Sequence, residues 1–316
     1  MNGPILVTGA SGFAGSHLLQ LLSGQHELVA WGRSSPAPEL LPLARWQQVE
    51  LLDRDRVRAL IRELRPAAVY HCAGSPHVAE SFTDTVKPFA NNVLATHHLF
   101  DALRRAGVHS RVLLTGSAAV YGSSDSPLTE DSPVSPANPY AHSKLAQEQL
   151  GLRAIPEDGL DVIVTRPFNH TGPRQTAAFM APAMAQQIAM IERGQHEPVL
   201  RVGNTSAIRD LSDVRDIVRA YAALMRSGTT GTVYNVASGT GHSVQEVLDA
   251  LIARAKVPVR IEIDPSRLRS VDSPRLIGNA TRLKETTGWR PDITFERMIE
   301  DLLQYWRTRC ERDSEG

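Results

Sequence analysis

Two short segments carry side chains that together can move a proton. Tyr140 and Lys144 lie four residues apart in "YAHSK", so on a helix their side chains share one face. An ammonium beside a phenol favours the phenolate and lowers the pKa of the tyrosine, which suits proton transfer near neutral pH. Ser117 in "GSAAVYG" follows a predicted strand and can donate a hydrogen bond to a carbonyl oxygen as charge develops there. These residues predict acid/base chemistry at an oxygen.

A glycine-rich turn precedes them near the N-terminus. In "TGASGFAG", Gly9, Gly12 and Gly15 follow the first predicted strand and open the first predicted helix. Gly9 permits a sharp turn, Gly12 lets a pyrophosphate approach the backbone, and Gly15 lets the helix pack closely on the sheet. The start of the helix adds unpaired N–H groups and the positive end of a dipole. The turn therefore predicts a dinucleotide site, with a tight bend that binds nothing as the alternative.

The end of the second predicted strand indicates which dinucleotide to expect. An NAD site has an acidic residue about 20 positions further on, but "VAWGRSS" offers Arg33 and Ser34 instead. A guanidinium suits a 2′-phosphate, so NADP(H) is expected, and NAD(H) is possible if Arg33 is only a solvated surface residue. Asp53 in "LLDRD" follows another predicted strand and either reaches the adenine or caps a helix.

The elements that must position these residues alternate through the first half of the chain. Short apolar runs alternate with amphipathic segments, which is typical of parallel strands covered by helices. The predicted strands are Ile5 to Gly9, Glu27 to Gly32, Ala67 to Ala73, Arg111 to Ser117, Leu160 to Arg166 and, later, Thr232 to Ser238. We therefore expect an α/β fold with a doubly wound parallel sheet of the Rossmann type.

After residue 166 the sequence changes to shorter helices and loops rich in Pro and Gly. This change predicts a smaller, discontinuous α/β lobe over the carboxyl ends of the strands, where doubly wound sheets bind ligands. Residues 1–166 and about 207–236 are expected to form the dinucleotide-binding domain. About 167–206 and 237–316 are expected to form the substrate lobe.

Composition narrows the partners. Lys plus Arg (34) equals Asp plus Glu (34), so no net charge favours nucleic acid or an anionic membrane as the main partner. No apolar run approaches the roughly 18 residues of a spanning helix, and no signal-peptide pattern opens the chain, so we expect a cytoplasmic protein. The His, Cys, Asp and Glu residues show no metal-ligand spacing, and we predict no metal.

Segments along nearly the whole chain resemble the extended short-chain dehydrogenase/reductase family of nucleotide-sugar epimerases, dehydratases and ketoreductases. They are "TGASGFAG", "YHCAGSPHVAESF", "NNVLAT", "GSAAVYG", "SPANPYAHSK", "RPFNHTGPRQ", "VGNTSAIRDLSDVRDIVRAYAAL", "GTVYNVASG" and "GNATRLKETTGWRP". "FNHTGPRQ" and "VGN" with the following "IRDLSDVRD" look most like the branch of GDP-mannose 4,6-dehydratase and the 4-keto reductase that follows it.

The resemblance implies roles for the reacting residues. Tyr140 would be the acid/base, Lys144 would hold the nicotinamide ribose, and Ser117 would bind the reacting oxygen. The matching segments also add to the cofactor-binding residues. The full expected set is Gly9, Gly12, Phe13, Gly15, Arg33, Ser34, Asp53, Ala73, Asn92, Tyr140 and Lys144.

Substrate residues follow from the same resemblance. Asn169 and Arg209 would contact the substrate diphosphate, and Asn204, Arg174 and Arg269 would lie at its nucleotide end. For each arginine, a salt bridge at the surface or between lobes is the alternative.

Two further expectations come from position and from the relatives. Ser81 and Glu80 in "HVAESF" follow a predicted strand at the rim where a sugar would lie, and either contact the hexose or cap the loop. In relatives, the helices matching "NNVLATHHLFDALRRAG" and "SKLAQEQLGLRA" form a four-helix dimer interface, so a homodimer is expected.

The residues after Ser117 bear on the type of reaction. Dehydratases of this family carry a glutamate two residues after the catalytic Ser or Thr, and this chain has Ala119 there, with Ala118 before it. A methyl group moves no proton, so dehydration would need Glu80 or another carboxylate in its place. Reductases of this branch also often carry an acid at that position, which leaves the substrate open.

Reduction needs only the residues that are present. Ser117, Tyr140 and Lys144 suffice to reduce the C4 ketone of a nucleotide-linked 4-keto-6-deoxyhexose, which is the expected function. The favoured substrate is GDP-6-deoxy-4-keto-D-mannose, and the product would have the GDP-D-rhamnose or 6-deoxy-talose configuration. A 4-epimerase would use the same residues but usually holds NAD, whereas Arg33 favours NADP. A non-catalytic NADP sensor would commonly have lost the Tyr/Lys pair.

Overall fold

A computed structural model describes residues 3–267 and 273–312 of the chain. Its strands are β1 (Ile5–Thr8), β2 (Leu28–Gly32), β3 (Arg45–Gln48), β4 (Ala68–His71), β5 (Arg111–Thr115), β6 (Asp161–Pro167), β7 (Asn169–Thr171), β8 (Val199–Val202), β9 (Ile208–Asp213), β10 (Val233–Val236), β11 (Gly241–Ser243), β12 (Arg260–Ile263) and β13 (Arg275–Leu276). Its α-helices are α1 (Phe13–Leu22), α2 (Arg54–Leu64), α3 (Glu80–Thr83), α4 (Val86–Pro88), α5 (Ala95–Arg105), α6 (Pro139–Asp158), α7 (Met180–Glu192), α8 (Val214–Ser227), α9 (Val244–Ile252), α10 (Thr281–Thr287) and α11 (Phe295–Arg312). A π-helical segment (Phe89–Leu94) leads into α5, and 3₁₀ turns occupy Pro38–Leu43, Ala118–Val120 and Pro265–Arg267.

The large sheet confirms the expected doubly wound architecture. Its seven strands run parallel in the order β10-β6-β5-β4-β1-β2-β3. One apolar layer packs α1 and α8 on one face, and a second packs α2, α5 and α6 on the other. Successive strands are added on one side of β1 up to β3 and on its other side from β4 onward. A crevice for ligands is therefore expected at the carboxyl ends of β1 and β4.

A second, smaller region follows β6. Strands β11, β9 and β13 form a sheet in which β7 also pairs with β9, and β8 pairs with β12. Helices α7, α9 and α11 pack with β8 and β9 around a separate core. The sequence analysis assigned about 207–236 to the dinucleotide-binding domain. Within that range, α8 and β10 pack with the large sheet, but β9 pairs with strands of the second region.

Helix α6 is fastened to the large sheet by local and long-range contacts. Asn138 caps its start by accepting a hydrogen bond from the Ala141 N–H at 2.8 Å, and Pro139 occupies the first turn. Gly151 lets the helix lie close to β5, because a Cβ there would stand 2.6 Å from Leu114 Cδ2. Among the described residues, no helix combines the length and the apolar character that crossing a membrane requires.

A buried ion pair joins α6 to the end of β6. Arg166 donates from Nε to Glu148 Oε2 at 2.9 Å and from Nη2 to Glu148 Oε1 at 2.6 Å. The guanidinium also donates to the Tyr121 hydroxyl at 2.7 Å and stacks over that ring, 4.8 Å from its centroid. Because both charged side chains are buried, removing one partner would leave the other charge without compensation.

We expect Glu148→Gln to lower the free energy of unfolding by about 3 kcal/mol, because the buried guanidinium loses its counter-charge. Glu157→Gln is the matched control on the same helix: Glu157 pairs with Arg153 but is 56% exposed, whereas Glu148 is 2% exposed. The control should lose about 0.5 kcal/mol or less. Urea denaturation followed by circular dichroism measures both, and equal losses would contradict a stabilising role of the buried pair.

Candidate active site

The glycine-rich turn has the shape that a dinucleotide needs. Gly9 has φ +66°, and a Cβ on it would stand 2.6 Å from the Ala73 backbone nitrogen, so only glycine fits between β1 and the end of β4. A Cβ on Gly15 would collide with the Gly9 carbonyl oxygen. Gly12 caps α1, and a Cβ there would meet only the Gly9 carbonyl oxygen, at 3.0 Å. These glycines therefore leave room for a pyrophosphate at the start of α1, as a bound dinucleotide requires.

The residues predicted at the adenosine end follow β2 or precede α2. Arg33 and Ser34 are exposed directly after β2. Asp53 caps α2, since its carboxylate accepts a hydrogen bond from the Arg56 N–H at 3.1 Å. The capping role is thus observed, and an adenine contact stays a prediction.

Ser117 and Tyr140 come together at the carboxyl end of β5. Ser117 begins the short turn after that strand and accepts a hydrogen bond from the Ala119 N–H at 3.1 Å. Its hydroxyl hydrogen-bonds to Tyr140 and lowers the pKa of the phenol, but burial acts more strongly and raises that pKa above its ordinary value. The sequence-based expectation of a lowered pKa for Tyr140 is therefore wrong.

Lys144 directs its ammonium to groups other than Tyr140. Nζ donates to the Thr115 carbonyl oxygen and to Gln147 Oε1, both at 2.9 Å. The residue is 6% exposed, and burial lowers the pKa of the ammonium to about 8. Gln147 is a site residue that sequence reasoning missed, although its spacing of three from Lys144 places it on the same helix face.

Two other residues predicted to bind the cofactor, Asn92 and Phe13, connect neighbouring elements. Asn92 is buried, accepts from the Ser75 N–H at 2.8 Å and donates to Ser143 Oγ at 2.8 Å, so its side chain ties the loop after β4 to α6. Phe13 stacks on His170 with 5.7 Å between ring centroids. This stack connects the glycine turn to the segment that carries Asn169.

The predicted diphosphate residues lie on paired strands of the second region. Asn169 opens β7 and is exposed, and its register partner in β9 is Leu211, two residues after Arg209. Asp210, also missed at first, is buried beside Arg209 and accepts from the N–H groups of Ser238 and Gly239 at 2.9 and 2.8 Å. The buried carboxylate thereby holds the turn after β10 against β9.

Three predicted sugar or nucleotide residues make local contacts. The Ser81 hydroxyl is fully buried and donates to the Val78 carbonyl oxygen at 2.7 Å, which is the loop-capping interpretation. Glu80 is exposed and pairs with Lys87 at 3.1 Å, and this hydrogen bond lowers the pKa of the carboxyl. Asn204 accepts from the Ser206 N–H at 2.9 Å in a tight turn. Ligand contacts by Ser81 and Asn204 stay predictions.

Arg174 contacts helix α1. It occupies the second central position of a turn closed by the Gln175 N–H and the Gly172 carbonyl oxygen, with φ +73°. Nη2 donates to Gln20 Oε1 on α1 at 3.2 Å. It lines a cavity of about 360 Å³ whose other walls are His17, Gln20, Glu39, Pro173, Arg215 and Tyr305. Arg269 lies outside the described residues.

Known proteins resemble this chain over nearly its whole length. A sequence profile for the family described as GDP-mannose 4,6 dehydratase matches residues 6–302. The GDP-6-deoxy-D-mannose reductase of Pseudomonas aeruginosa is 37% identical over 316 residues, covering 99% of this chain and 100% of that protein. A UDP-glucose 4-epimerase of Azospirillum brasilense is 32% identical, covering 91% of this chain and 87% of that protein.

Solved structures show the same relationship. The structure of RMD from Pseudomonas aeruginosa complexed with NADPH matches with a TM-score of 0.86 at 36% identity, over 98% of this chain and 100% of that chain. The UDP-glucose 4-epimerase of Thermus thermophilus in complex with NAD matches with a TM-score of 0.87 at 29% identity, over 96% and 99%. The glycine turn, the Ser117–Tyr140–Lys144 arrangement and these full-length matches lead to one conclusion: the chain belongs to the GDP-mannose 4,6-dehydratase family of extended short-chain dehydrogenases/reductases.

Proposed function

We propose that the chain is an NADPH-dependent reductase of the C4 ketone of GDP-6-deoxy-4-keto-D-mannose, forming the GDP-linked 6-deoxyhexose. The observation that carries the proposal is its 37% identity, end to end, with a GDP-6-deoxy-D-mannose reductase. The site supports the same reaction, because Ser117 and Tyr140 meet at one strand end and Lys144 lies a helical turn further.

The protonation state of Tyr140 agrees with reduction. Burial raises the pKa of its phenol, so the side chain carries its proton at neutral pH and is ready to act as an acid. In the proposed reaction Ser117 donates a hydrogen bond to the ketone oxygen, and the proton passes from the Tyr140 hydroxyl to that oxygen as the alcohol forms. An epimerase or a dehydratase first removes the proton of a sugar hydroxyl, and that step would need Tyr140 in its phenolate form.

The residues beside Ser117 argue against dehydration. Ala118 and Ala119 carry only methyl groups, and Glu80 lies exposed in an ion pair with Lys87. The lowered pKa of Glu80 makes it a poor proton donor. Glu80 is therefore not suited to replace the missing glutamate.

NADPH, when bound, supplies the hydride that reaches C4. Its pyrophosphate would be held by the glycine turn of Gly9, Gly12 and Gly15. Its nicotinamide ribose would be held by Lys144. The residues that would line the rest of its site are Phe13, Ala73 and Asn92. Arg33 and Ser34 would bind the 2′-phosphate, which favours NADP over NAD, and the matching Pseudomonas aeruginosa structure is a complex with NADPH.

The substrate diphosphate would be bound by Asn169 on β7 and Arg209 on β9, because these two strands pair with each other. Asn204 would lie at the guanosine end. Ser81 would approach the hexose, and Arg174, which faces α1, is the least supported of the substrate residues.

Direct assay tests this function. The protein is incubated with NADPH and with GDP-, dTDP- and UDP-linked 4-keto-6-deoxyhexoses, and cofactor oxidation and products are measured. We expect oxidation with the GDP-linked ketone and a GDP-linked 6-deoxyhexose as product. Turnover of an intact sugar nucleotide without net cofactor oxidation would instead identify a 4-epimerase.

Tyr140→Phe is expected to lower kcat with the GDP-linked ketone by about 10² to 10⁴-fold, because the proton donor is lost. Calorimetric titration with NADP⁺ is the control, and its dissociation constant should change little. Retention of full turnover by a variant that still binds the dinucleotide would show that another group donates the proton.

Arg33→Ala is expected to lower kcat/KM for NADPH by about tenfold or more while that for NADH changes little, because a charge-assisted hydrogen bond to the 2′-phosphate is lost. Arg62→Ala serves as the matched control, since Arg62 is an exposed arginine in the last turn of α2. Equal losses with both cofactors would contradict a 2′-phosphate site at Arg33.

We further propose that the active form is a cytoplasmic homodimer whose interface includes α5 and α6. Four exposed apolar side chains occur within the segment 82–94, which leads into α5, and this is an unusual concentration for a surface without a partner. They are Phe82 (54% exposed), Val86 (72%), Phe89 (41%) and Leu94 (45%). The Cys72 side chain is a reduced thiol, in keeping with a reducing compartment.

The double variant Val86→Asp with Leu94→Asp is expected to convert a dimer into a monomer, because charges would be buried in the interface without partners. Leu41→Asp is the matched control, since Leu41 is 52% exposed in the separate 3₁₀ turn after β2. Light scattering after size-exclusion chromatography measures the masses. A dimer that persists in the double variant would place the interface elsewhere.

A further inference from the structure

A chain of buried polar side chains runs from Lys144 to the first strand. Gln147 accepts from Lys144 Nζ and donates from Nε2 to Thr96 Oγ1 at 2.8 Å. Thr96 Oγ1 also contacts His71 Nε2 at 2.8 Å, and His71 Nδ1 contacts Thr8 Oγ1 at 2.7 Å. All five residues are buried, so water does not compete for these hydrogen bonds.

The partners in this chain assign every hydrogen. The Thr96 hydroxyl has one hydrogen, which it donates to the Asn92 carbonyl oxygen at 2.5 Å. Thr96 Oγ1 must therefore accept from both Gln147 Nε2 and His71 Nε2. Burial, assisted by Lys144, lowers the pKa of His71 to about 3, so this histidine is neutral, carries its proton on Nε2 and accepts at Nδ1 from Thr8.

This assignment leaves Gln147 one orientation. Because its amide nitrogen is committed to Thr96, its carbonyl oxygen is the atom that faces Lys144. An ammonium has three N–H donors, and Thr115 and Gln147 accept two of them. Among the contacts that the described residues make, one N–H of Lys144 therefore remains for a ligand.

We propose that Gln147 is a positioning residue of this enzyme: held by Thr96 and His71, its carbonyl oxygen keeps Lys144 oriented and charged, so that one N–H is directed to the dinucleotide. The proposal rests on the assignment of Lys144 to the cofactor under the proposed function. Gln147 acts only through Lys144 and touches no reacting atom.

The alkaline side of a pH profile reports this interaction. Among the described residues, His71 and Cys72 at the end of β4 interact electrostatically with Lys144, and Tyr140 lies one turn earlier on α6. The pKa of His71 lies at about 3, burial raises that of Cys72 to about 12, and that of Tyr140 is raised above its usual range. Lys144, with a pKa of about 8, is thus the group of this set that loses its charge between pH 7 and 9.

The test is calorimetric titration with NADP⁺ from pH 6.5 to 9.5, together with kcat/KM for NADPH over the same range. We expect the affinity for NADP⁺ to fall as the pH rises through the pKa of Lys144. Gln147→Met removes the acceptor and should move this midpoint down by about one pH unit, whereas Gln147→Glu adds a negative charge and should move it up by about one unit. Thr96→Val frees the amide of Gln147 and should produce a smaller downward shift.

Gln149→Met is the matched control, because Gln149 is exposed on the same helix. It should leave the midpoint unchanged. Identical midpoints in Gln147→Met, Gln147→Glu and the unsubstituted protein would overturn the proposal. Midpoints that shift in the same direction in both Gln147 variants would also overturn it, because they would indicate a packing defect. If Gln147→Met does not fold, as judged by circular dichroism, Gln147→Glu and Thr96→Val decide the question. NADP⁺ binding needs no sugar, so the outcome is independent of which ketone is reduced.

Discussion

The burial of one ammonium constrains much of this molecule. Taking the charge of Lys144 out of water costs several kcal/mol unless protein groups replace the lost hydration. The carbonyl oxygen of Thr115 at the end of β5 and the amide of Gln147 do so, which requires that α6 lie close to this strand end. Gly151 permits the approach, and the buried pair of Glu148 with Arg166 holds it.

The same dry environment acts on the two titratable partners in opposite directions. Burial disfavours charge, so it lowers the pKa of Lys144 and raises that of Tyr140. The result is a phenol that keeps its proton beside a serine hydroxyl. A reductase needs a proton donor at this place, and the two alanines after Ser117 add no competing acid or base.

The second region contributes by strand pairing rather than by its own helices. The backbone leaves the large sheet at the end of β6 and pairs at once with β9, so Asn169 and Arg209 come from segments that are separated in sequence but joined by one ladder. Phe13 stacks on His170 next to Asn169, so the dinucleotide turn and the diphosphate segment share an apolar contact. The two predicted ligand sites are thereby coupled in position.

The sequence alone determined the features whose cause is local. The glycine spacing and the four-residue separation of Tyr140 and Lys144 depend on neighbours along the chain. The parallel architecture likewise follows from apolar runs that alternate with amphipathic segments. Only the tertiary structure decided the pKa of Tyr140, the acceptors of Lys144 and the position of Arg174 against α1. These depend on burial and on partners such as Thr115 and Gln20 that are distant in sequence, and a residue's spacing carries no information on how much water its surroundings exclude.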